Sequence, residues 1–377
     1  MTVAARSFTP STAALPESAI VPIAEFIADD TQAWDALAND ASEPNAFLER
    51  WFFVPAVEHL SIPADLRMLA VRIDDMLIGL MPVARAHRYG RMQVAHLQNW
   101  LHYHCFLGTP LVRAGWEAAF WSAALSALDR DPATRGFLHV TALDGEGPLA
   151  TALLAARSGA AIVHRSQRAL LASSLGPTEY YETTVRAKKR KEIRRLQARL
   201  AELGTVAARH LTDPSELDAW IDTFLALEAA GWKGREGAAL ANDAGTAAFT
   251  RAALHGAQAA GRLDLLRLDL DGRAIAMLVN FRTPPGSFSF KIAFDEEYAR
   301  FSPGVLVSLE NLRSLADPAI AWMDSCAAPD HPMIDSLWGE RRTLVRISVP
   351  LAGLRRRATF TGARGLERSA AWLRRTR

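Results

Sequence analysis

Leu66–Arg85 reads LRMLAVRIDDMLIGLMPVAR and Leu263–Arg282 reads LDLLRLDLDGRAIAMLVNFR, two 20-residue stretches that align without a gap. In each, two apolar strand-like runs flank a two-residue acidic turn, Asp74-Asp75 in the first and Asp271-Gly272 in the second, the signal of a tight hairpin. Identical pairs run the length of the alignment: Leu66 with Leu263, Leu69 with Leu266, Asp74 with Asp271, Ile78 with Ile275 and Arg85 with Arg282. Any two strong hairpins look alike, so the surroundings have to decide whether the chain is duplicated.

Working outward, the two surroundings match. Before the first hairpin, 45–60 reads as a helix with Phe47, Trp51 and Val54 on one stripe. Before the second, 213–230 and 243–260 read as helices, with Trp220, Phe224 and Leu227 sharing a face. After the first hairpin the spacing predicts a strand at 105–112, a helix at 115–129, a strand at 137–141, a helix at 147–157 and a strand at 160–166. After the second it predicts a strand at 287–294, a helix at 304–316, a strand at 320–324, a short helix at 331–338 and a strand at 342–349. Helices, a hairpin, then alternating strand and helix predict an α/β protein of two tandem domains, each with a mixed central sheet flanked by helices. The expected boundaries are a leader at 1–19, domains at 20–175 and 206–352, a basic connecting helix region at 176–205 and a basic tail at 353–377.

The 377 residues are 50% hydrophobic and 22% charged, enough apolar material for two cores and too much for a disordered chain. The formal charge of +2 hides an uneven distribution. Residues 186–199 and 355–377 each carry +7, which leaves the rest of the chain at −12. An acidic body argues against general nucleic-acid binding. The two basic segments allow an anion, phosphate or lipid-surface contact. In the connecting region 180–186 reads as extended and 187–203 as a helix, with Ile193, Leu196 and Leu200 on its apolar stripe and Lys189, Arg190, Arg194 and Arg195 around the other side. Cys105 and Cys326 form neither a disulfide framework nor a zinc spacing, so no metal is expected and a reducing, cytoplasmic setting fits. The Ala-, Ser- and Pro-rich opening lacks the apolar core of an export signal, and no run reaches the length of a membrane span.

The densest constellation is FSFKIAFDEEYARFSPGVLVSLENLRSLA, 288–316: a strand, an acidic bend and Ser302-Pro303-Gly304 at a helix start. Ser302 suits the cap, Pro303 lacks an amide hydrogen the first turn does not need, and Gly304 clears the path of a ligand. The amides near Val305 and Leu306 are then available to a pyrophosphate, although Ser-Pro-Gly is equally the mark of a well-capped helix.

Together with the basic run VRAKKRKEIRRLQARL (185–200), Asp271-Gly272, Phe294-Asp295 with Tyr298, Ser302-Pro303-Gly304 and Asp324, this phrase resembles tandem-domain members of the Gcn5-related N-acyltransferase (GNAT) superfamily. The resemblance is to the CelD- or BcsL-like group related to the FemAB peptidyltransferases, and it is clearest over 180–350. It implies two GNAT-like domains and a coenzyme A thioester as co-substrate rather than a resident cofactor. Ser302, Gly304, Val305 and Leu306 would line the entrance for its pyrophosphate. One departure bears on the acceptor: relatives carry a Tyr-Lys pair after the aspartate strand, where this chain reads MDSCAAPDHPMIDSLWGERRTLVRI (323–347).

Acyl transfer to an amine needs a proton acceptor and a donor to the developing oxyanion. Asp324, at the carboxyl end of a predicted strand, and His331, beyond it, are candidates; Asp324 alternatively caps its loop and His331 a helix start. In NWLHYHCFLGTP (99–110), His102 and His104 share one side of an extended segment beside Trp100 and Tyr103, as catalytic or acceptor-binding groups or as a buried hydrogen-bonded pair. Cys105 has no partner at fixed spacing that would mark it as a nucleophile. Glu310 reads as a solvated or interdomain charge. The expectation is a cytoplasmic acyl-CoA-dependent N-acyltransferase, able to touch the inner membrane face through its basic segments. Its acceptor would be an amine-bearing small molecule, a sphingoid-type lipid or an amino sugar. A FemAB-like transferase using aminoacyl-tRNA and a non-catalytic scaffold that kept the fold are the competing readings.

Overall fold

The structure, a computed structural model, describes residues 15–28 and 31–375. Most of the expected leader lies outside the described residues, and Glu17 to Ala19, assigned to it, begin a strand. The first half runs β1 (Glu17–Pro22), α1 (Ile23–Ala28), α2 (Thr31–Asn39), α3 (Arg50–His59), β2 (Arg67–Ile73), β3 (Met76–Tyr89), β4 (Met92–Asn99), β5 (Leu111–Val112), α4 (Glu117–Arg130), β6 (Leu138–Asp144), α5 (Pro148–Ala156) and β7 (Ala161–Leu171). Helices α6 (Pro177–Thr184) and α7 (Ala187–Ala201) lead to β8 (Val206–His210), α8 (Leu217–Ala230), α9 (Trp232–Arg235), α10 (Ala244–Ala259), β9 (Leu263–Leu270) and β10 (Arg273–Thr283). The chain ends with β11 (Gly286–Phe294), α11 (Pro303–Leu309), β12 (Trp322–Asp324), α12 (Pro332–Asp335), β13 (Glu340–Val349) and α13 (Leu354–Arg375).

The hairpins that opened the sequence reading are duplicates in detail. Both close through two residues, Ile73 pairing Met76 and Leu270 pairing Arg273. Asp74 and Asp271 both take positive φ, 51° and 49°, and Gly272 follows at 81°, the backbone a tight hairpin turn requires. Each hairpin also carries a bulge at the same place: Ile78 and Ile275, an identical pair in the alignment, are the extra residues, and both are fully buried.

The sheet shows the same duplication at larger scale. Its order, β1-β2-β3-β4-β6-β13-β7-β12-β11-β10-β9-β8, reads equivalently from either edge, each half contributing three antiparallel pairs and then one parallel pair, β4 with β6 and β11 with β12. The halves do not keep their own last strands. β7 of the first half pairs with β12 of the second, and β13 of the second pairs with β6 of the first. One continuous mixed sheet results, flanked by helices, in place of two separate ones.

At the exchange, Arg168 on β7 stands directly opposite Arg342 on β13. Two guanidiniums facing each other across a ladder repel. Asp324 sits between them, fully buried: its Oδ1 is 2.7 Å from Arg168 Nε, and its Oδ2 accepts from Arg168 Nη2 at 2.8 Å and Arg342 Nη1 at 2.7 Å. Arg342 also reaches Asp144 at 3.0 Å and lies 4.0 Å over the Trp322 ring. An aromatic core shared by the halves packs beside this cluster, with Phe47 and Phe52 from the first against Phe281, Phe288 and Phe290 from the second.

Several expected elements differ. The strand at 105–112 shrinks to β5, because 100–110 is a loop pinned by Asn99, whose Nδ2 donates to the Gly108 and Thr141 carbonyls and whose Oδ1 accepts from the Thr141 amide. Gly108 is obligatory there, since a Cβ would lie 2.1 Å from the Thr141 oxygen. The extended reading of 180–186 is corrected over 180–184, which belong to α6, started by Pro177 at its first position; Val185 is extended as expected. The helix at 304–316 tightens into 3₁₀ turns after Leu309, and the helix at 331–338 is the single turn α12. The basic tail is the helix α13, whose Arg356 donates to the carbonyls of Leu128, Asp129 and Asp131 at the end of α4. In α7, Ile193, Leu196 and Leu200 are buried as the stripe predicts. Among the described residues no helix is long and apolar enough to cross a membrane.

Candidate active site

Parallel strands β11 and β12 stay paired only over Gly286–Phe288 and Trp322–Asp324. Beyond Phe288 the chains part, because Cys326 takes φ 53° and turns the backbone away. The parting leaves a cleft of about 340 Å³ between 289–292 on one side and 325–334 on the other, with Ser308 of α11 also in its lining. The corresponding gap in the first half, between β4 and β6, is filled by the loop 100–110 through the Asn99 and Gly108 contacts. That loop carries Tyr103 and Phe106 across to the second half's cleft, so one site is built from both halves.

Lys291 is the central polar group. It is the sole charged residue in FSFKIAF (288–294), and its ammonium lies 5.8–5.9 Å from the rings of Tyr103, Phe106 and Phe290. It has no hydrogen-bond or ion-pair partner among the described residues. Burial against this wall, and then the neighbouring Lys233 charge, push its pKa down to about 8, against a smaller upward pull from Glu228. Lys233, from α9, is paired: it donates to Glu228 Oε1 at 2.8 Å and to the Ile292 carbonyl at 3.3 Å. The other oxygen of Glu228 accepts the Leu240 amide at 2.8 Å, so this buried acid ties α8, α9 and β11 together at the cleft edge.

The residues expected from sequence distribute unevenly. His331 lines the cleft, at the start of α12, and its buried Nδ1 has no partner among the described residues. Asp324 is adjacent but closed: besides the two arginines, its Oδ1 accepts the Cys326 amide at 2.8 Å. The arginines and that hydrogen bond outweigh burial and hold its carboxyl below the usual range. The proton-handling role expected of Asp324 is corrected to a structural one, since a base with no free lone pair toward the cleft and a depressed pKa takes no proton from an amine.

His102 and His104 do sit together, 6.1 Å apart, but in the aromatic core behind the cleft. His102 stacks on Phe52 and meets Trp100 and Phe249, while its Nδ1 accepts the His104 amide at 3.3 Å. Burial, and then His104, push its pKa to about 3. His104 stacks on Phe249 and falls to about 4 through burial and the Lys291 charge. Neutral rings that weakly basic are poor general bases near neutral pH, so the catalytic reading of the pair is corrected to anchoring the loop that delivers Tyr103 and Phe106. Burial likewise raises both thiols, Cys105 to about 12 and Cys326 well above the ordinary value, which keeps them protonated and unreactive.

The expected pyrophosphate cradle at α11 fits poorly. Ser302 is in the left-handed region and its side chain caps nothing. The amides of Val305 and Leu306 both donate to the Ser302 carbonyl, at 2.9 and 3.2 Å, and Pro303 has none. Gly304 keeps its amide but is buried, with Phe294, Ile292 and Met333 side chains within 3.8 Å of where a Cβ would stand. An apolar collar around one backbone donor is not a site for two phosphates.

Sequence reasoning missed Lys291, Lys233 and Glu228. Two signals were available: a lone lysine in an otherwise apolar strand, and an acid at 228 one turn after Phe224, on the buried face of α8.

Residues 187–331 match the family described as acetyltransferase (GNAT) domain. With the duplicated hairpin, bulge and sheet order on either side of the exchange, that match decides the architecture. The chain has the tandem GNAT fold. Solved structures share the fold of this tandem GNAT chain along nearly its whole length. The crystal structure of FemX covers 85% of this chain and 96% of its own at TM-score 0.57 and 10% identity. The C-terminal domain of a putative lysylphosphatidylglycerol synthetase from Agrobacterium fabrum covers 85% and 92% at TM-score 0.53 and 12% identity. A conserved protein of unknown function from Bacteroides thetaiotaomicron covers 85% and 98% at TM-score 0.52 and 10% identity. These identities speak for the fold alone. None of the curated proteins matches this sequence.

Proposed function

We propose that this tandem GNAT protein is an N-acyltransferase that moves an acyl group from a coenzyme A thioester to a primary amine in the cleft between β11 and 325–334. The observation that carries the reading is the unpaired Lys291 ammonium in a half-enclosed, aromatic-walled opening where two parallel strands part. In that opening the amine lone pair attacks the acyl carbonyl, negative charge collects on the oxygen, and the carbon–sulfur bond then breaks. Lys291, charged below about pH 8, faces that charge in a site of reduced water content, where a fixed cation stabilises more than it does in solution. His331, through its unpartnered Nδ1, takes the proton from the attacking nitrogen. The Lys233–Glu228 pair holds the β11 edge by its Ile292 carbonyl and keeps Lys291 without a counter-ion.

Phe106, Phe290 and Ile292 make the cleft wall apolar, which suits an acyl chain or a lipid amine such as a sphingoid base. Tyr103, 79% exposed at the mouth, equally offers a face to an amino sugar. One observation favours a second reading, transfer from aminoacyl-tRNA: Lys188, Lys191, Arg194 and Arg195 are exposed along α7, a surface fit for a phosphate backbone.

A mass-resolved screen decides among these. Acyl-CoA of several chain lengths and a charged tRNA mixture are offered with sphingoid amines and with amino sugars. The expected result is amide product with an acyl-CoA donor and release of one thiol per amide. Amide only from charged tRNA, with a rate falling steeply in salt, would replace the thioester reading, and no amide with any pair would remove the transferase assignment.

A further inference from the structure

On the other side of α12 from the reaction cleft lies a second opening of about 390 Å³, lined by Arg186 and Lys189 of the α7 start and by Arg341, Asp335 and Trp338. It brings three cations to one small space. The Arg186 side chain has no hydrogen-bond or ion-pair partner among the described residues. Among the described residues Lys189 meets only the exposed Glu192, at 3.3 Å, while Arg341 donates to the Trp338 and Glu340 carbonyls, both at 2.8 Å, and meets Asp335 at 3.6 Å.

Two further observations indicate that this space is built for an anion. The start of α7 has no side-chain cap and no acidic residue in its first turn, so its positive end and three cations share the opening with one carboxylate, Asp335, an excess of positive charge that favours an entering anion. Trp338, 1% exposed and part of the lining, has a buried indole N–H with no partner among the described residues. A buried donor left unmade is expensive in a folded protein, and an acceptor from a ligand would satisfy it. Around α11, by contrast, Val305 and Leu306 amides are spent on Ser302 and the approach is apolar.

We propose that the opening between α7 and α12 is a diphosphate site, and that it holds the pyrophosphate of the acyl donor in place of the α11 start. The last clause rests on the thioester reading; the diphosphate site does not. Its placement is consistent with a donor bent around α12, since Pro332 lines this opening while His331, Met333 and Ile334 line the reaction cleft. Arg186 and Lys189 hold the phosphates, Arg341 is released in part from Asp335 to join them, and the acyl end reaches Lys291.

The probe is inorganic pyrophosphate, followed by calorimetry on the full chain. Two double variants place equal charge changes on the same helix: Arg186→Glu with Lys189→Glu inside the opening, and Arg194→Glu with Arg195→Glu outside it. Saturable one-to-one binding that weakens about tenfold or more in the first and less than about threefold in the second supports the site. Equal weakening in both, no weakening in the first, or no saturable binding by the wild type overturns it. Thermal melting shows whether either variant is misfolded; if the first is, Arg186→Gln alone, which changes no buried contact, must weaken binding about threefold or more for the site to stand. Desulfo-coenzyme A then addresses the donor separately: its binding must fall in parallel with that of pyrophosphate. Pyrophosphate bound at the opening with desulfo-coenzyme A indifferent to Arg186 leaves the diphosphate site standing and removes the coenzyme A assignment.

Discussion

Asp324→Ala loses about 3–5 kcal/mol of stability, because it strips the shared counter-ion from two buried guanidiniums that face each other across the exchange. Arg168 and Arg342 are 5% and 8% exposed, so neither swings out to water without opening the sheet. Arg342 keeps Asp144 and Trp322, whereas Arg168 keeps no carboxylate among the described ion pairs. Urea unfolding checks the loss, and one companion variant separates charge from packing. Asp324→Leu with Arg168→Met, Arg342→Met and Asp144→Asn removes the charges together and recovers most of the stability, as buried ion clusters do when replaced whole. The pH dependence has a fixed sign. Asp324 has a depressed folded-state pKa, so its contribution is present above the ordinary carboxylate value and disappears as pH falls through the lower folded value. The alanine variant loses that acid-side component, and an unchanged acid limb would contradict the assignment of Asp324 as the structural pin.

Lys291→Met slows amide formation by about 10²–10³-fold while the fold is kept, the size expected when a preorganised group facing an oxyanion is removed. Methionine matches the side-chain volume and brings no charge into the wall of Tyr103, Phe106 and Phe290. Below its pKa of about 8 Lys291 is the cation that the mechanism uses, so the wild-type rate declines above that pH. Lys291→Arg keeps a cation across the range and abolishes that decline even if misplacement lowers the plateau. A pH–rate series on the three proteins reads this out. A full rate in Lys291→Met, or an alkaline decline that persists in Lys291→Arg, would take Lys291 out of the chemistry.

The fold was legible to the extent that local pattern determines it. Turn chemistry at Asp74 and Asp271 and the identical Ile78 and Ile275 marked the duplicated hairpins, and the Ile193, Leu196 and Leu200 spacing marked α7. The strand exchange was not legible, since nothing in ALL (169–171) or in ERRTLVRI (340–347) names the strand it pairs with. Nor was the site's division of labour. Asp324 stands where a proton acceptor was expected, but its partners come from β7 and β13, 156 positions before and 18 after it. His102 and His104 attracted attention as ionisable rings, and their neutrality comes from Phe52 and Phe249, far away in sequence. His331 alone among the expected proton-handling residues reaches the cleft. Lys291 was readable in principle: a lysine in FSFKIAF either snorkels to solvent or is kept for its chemistry, and only the rings of Tyr103 and Phe106 across the cleft distinguish the two.

The central proposal is one of place: that acyl transfer occurs where β11 and β12 part. Ala327 lines that opening and contributes no polar side chain to it, so Ala327→Trp fills the space while Lys291, His331 and the Asp324 cluster keep their side chains. With the donor and acceptor that give amide in the wild type, the rate of amide formation by Ala327→Trp is the direct test. The account predicts a loss of about 100-fold or more with the melting temperature held near that of the wild type. A folded Ala327→Trp protein that acylates at the wild-type rate would contradict it.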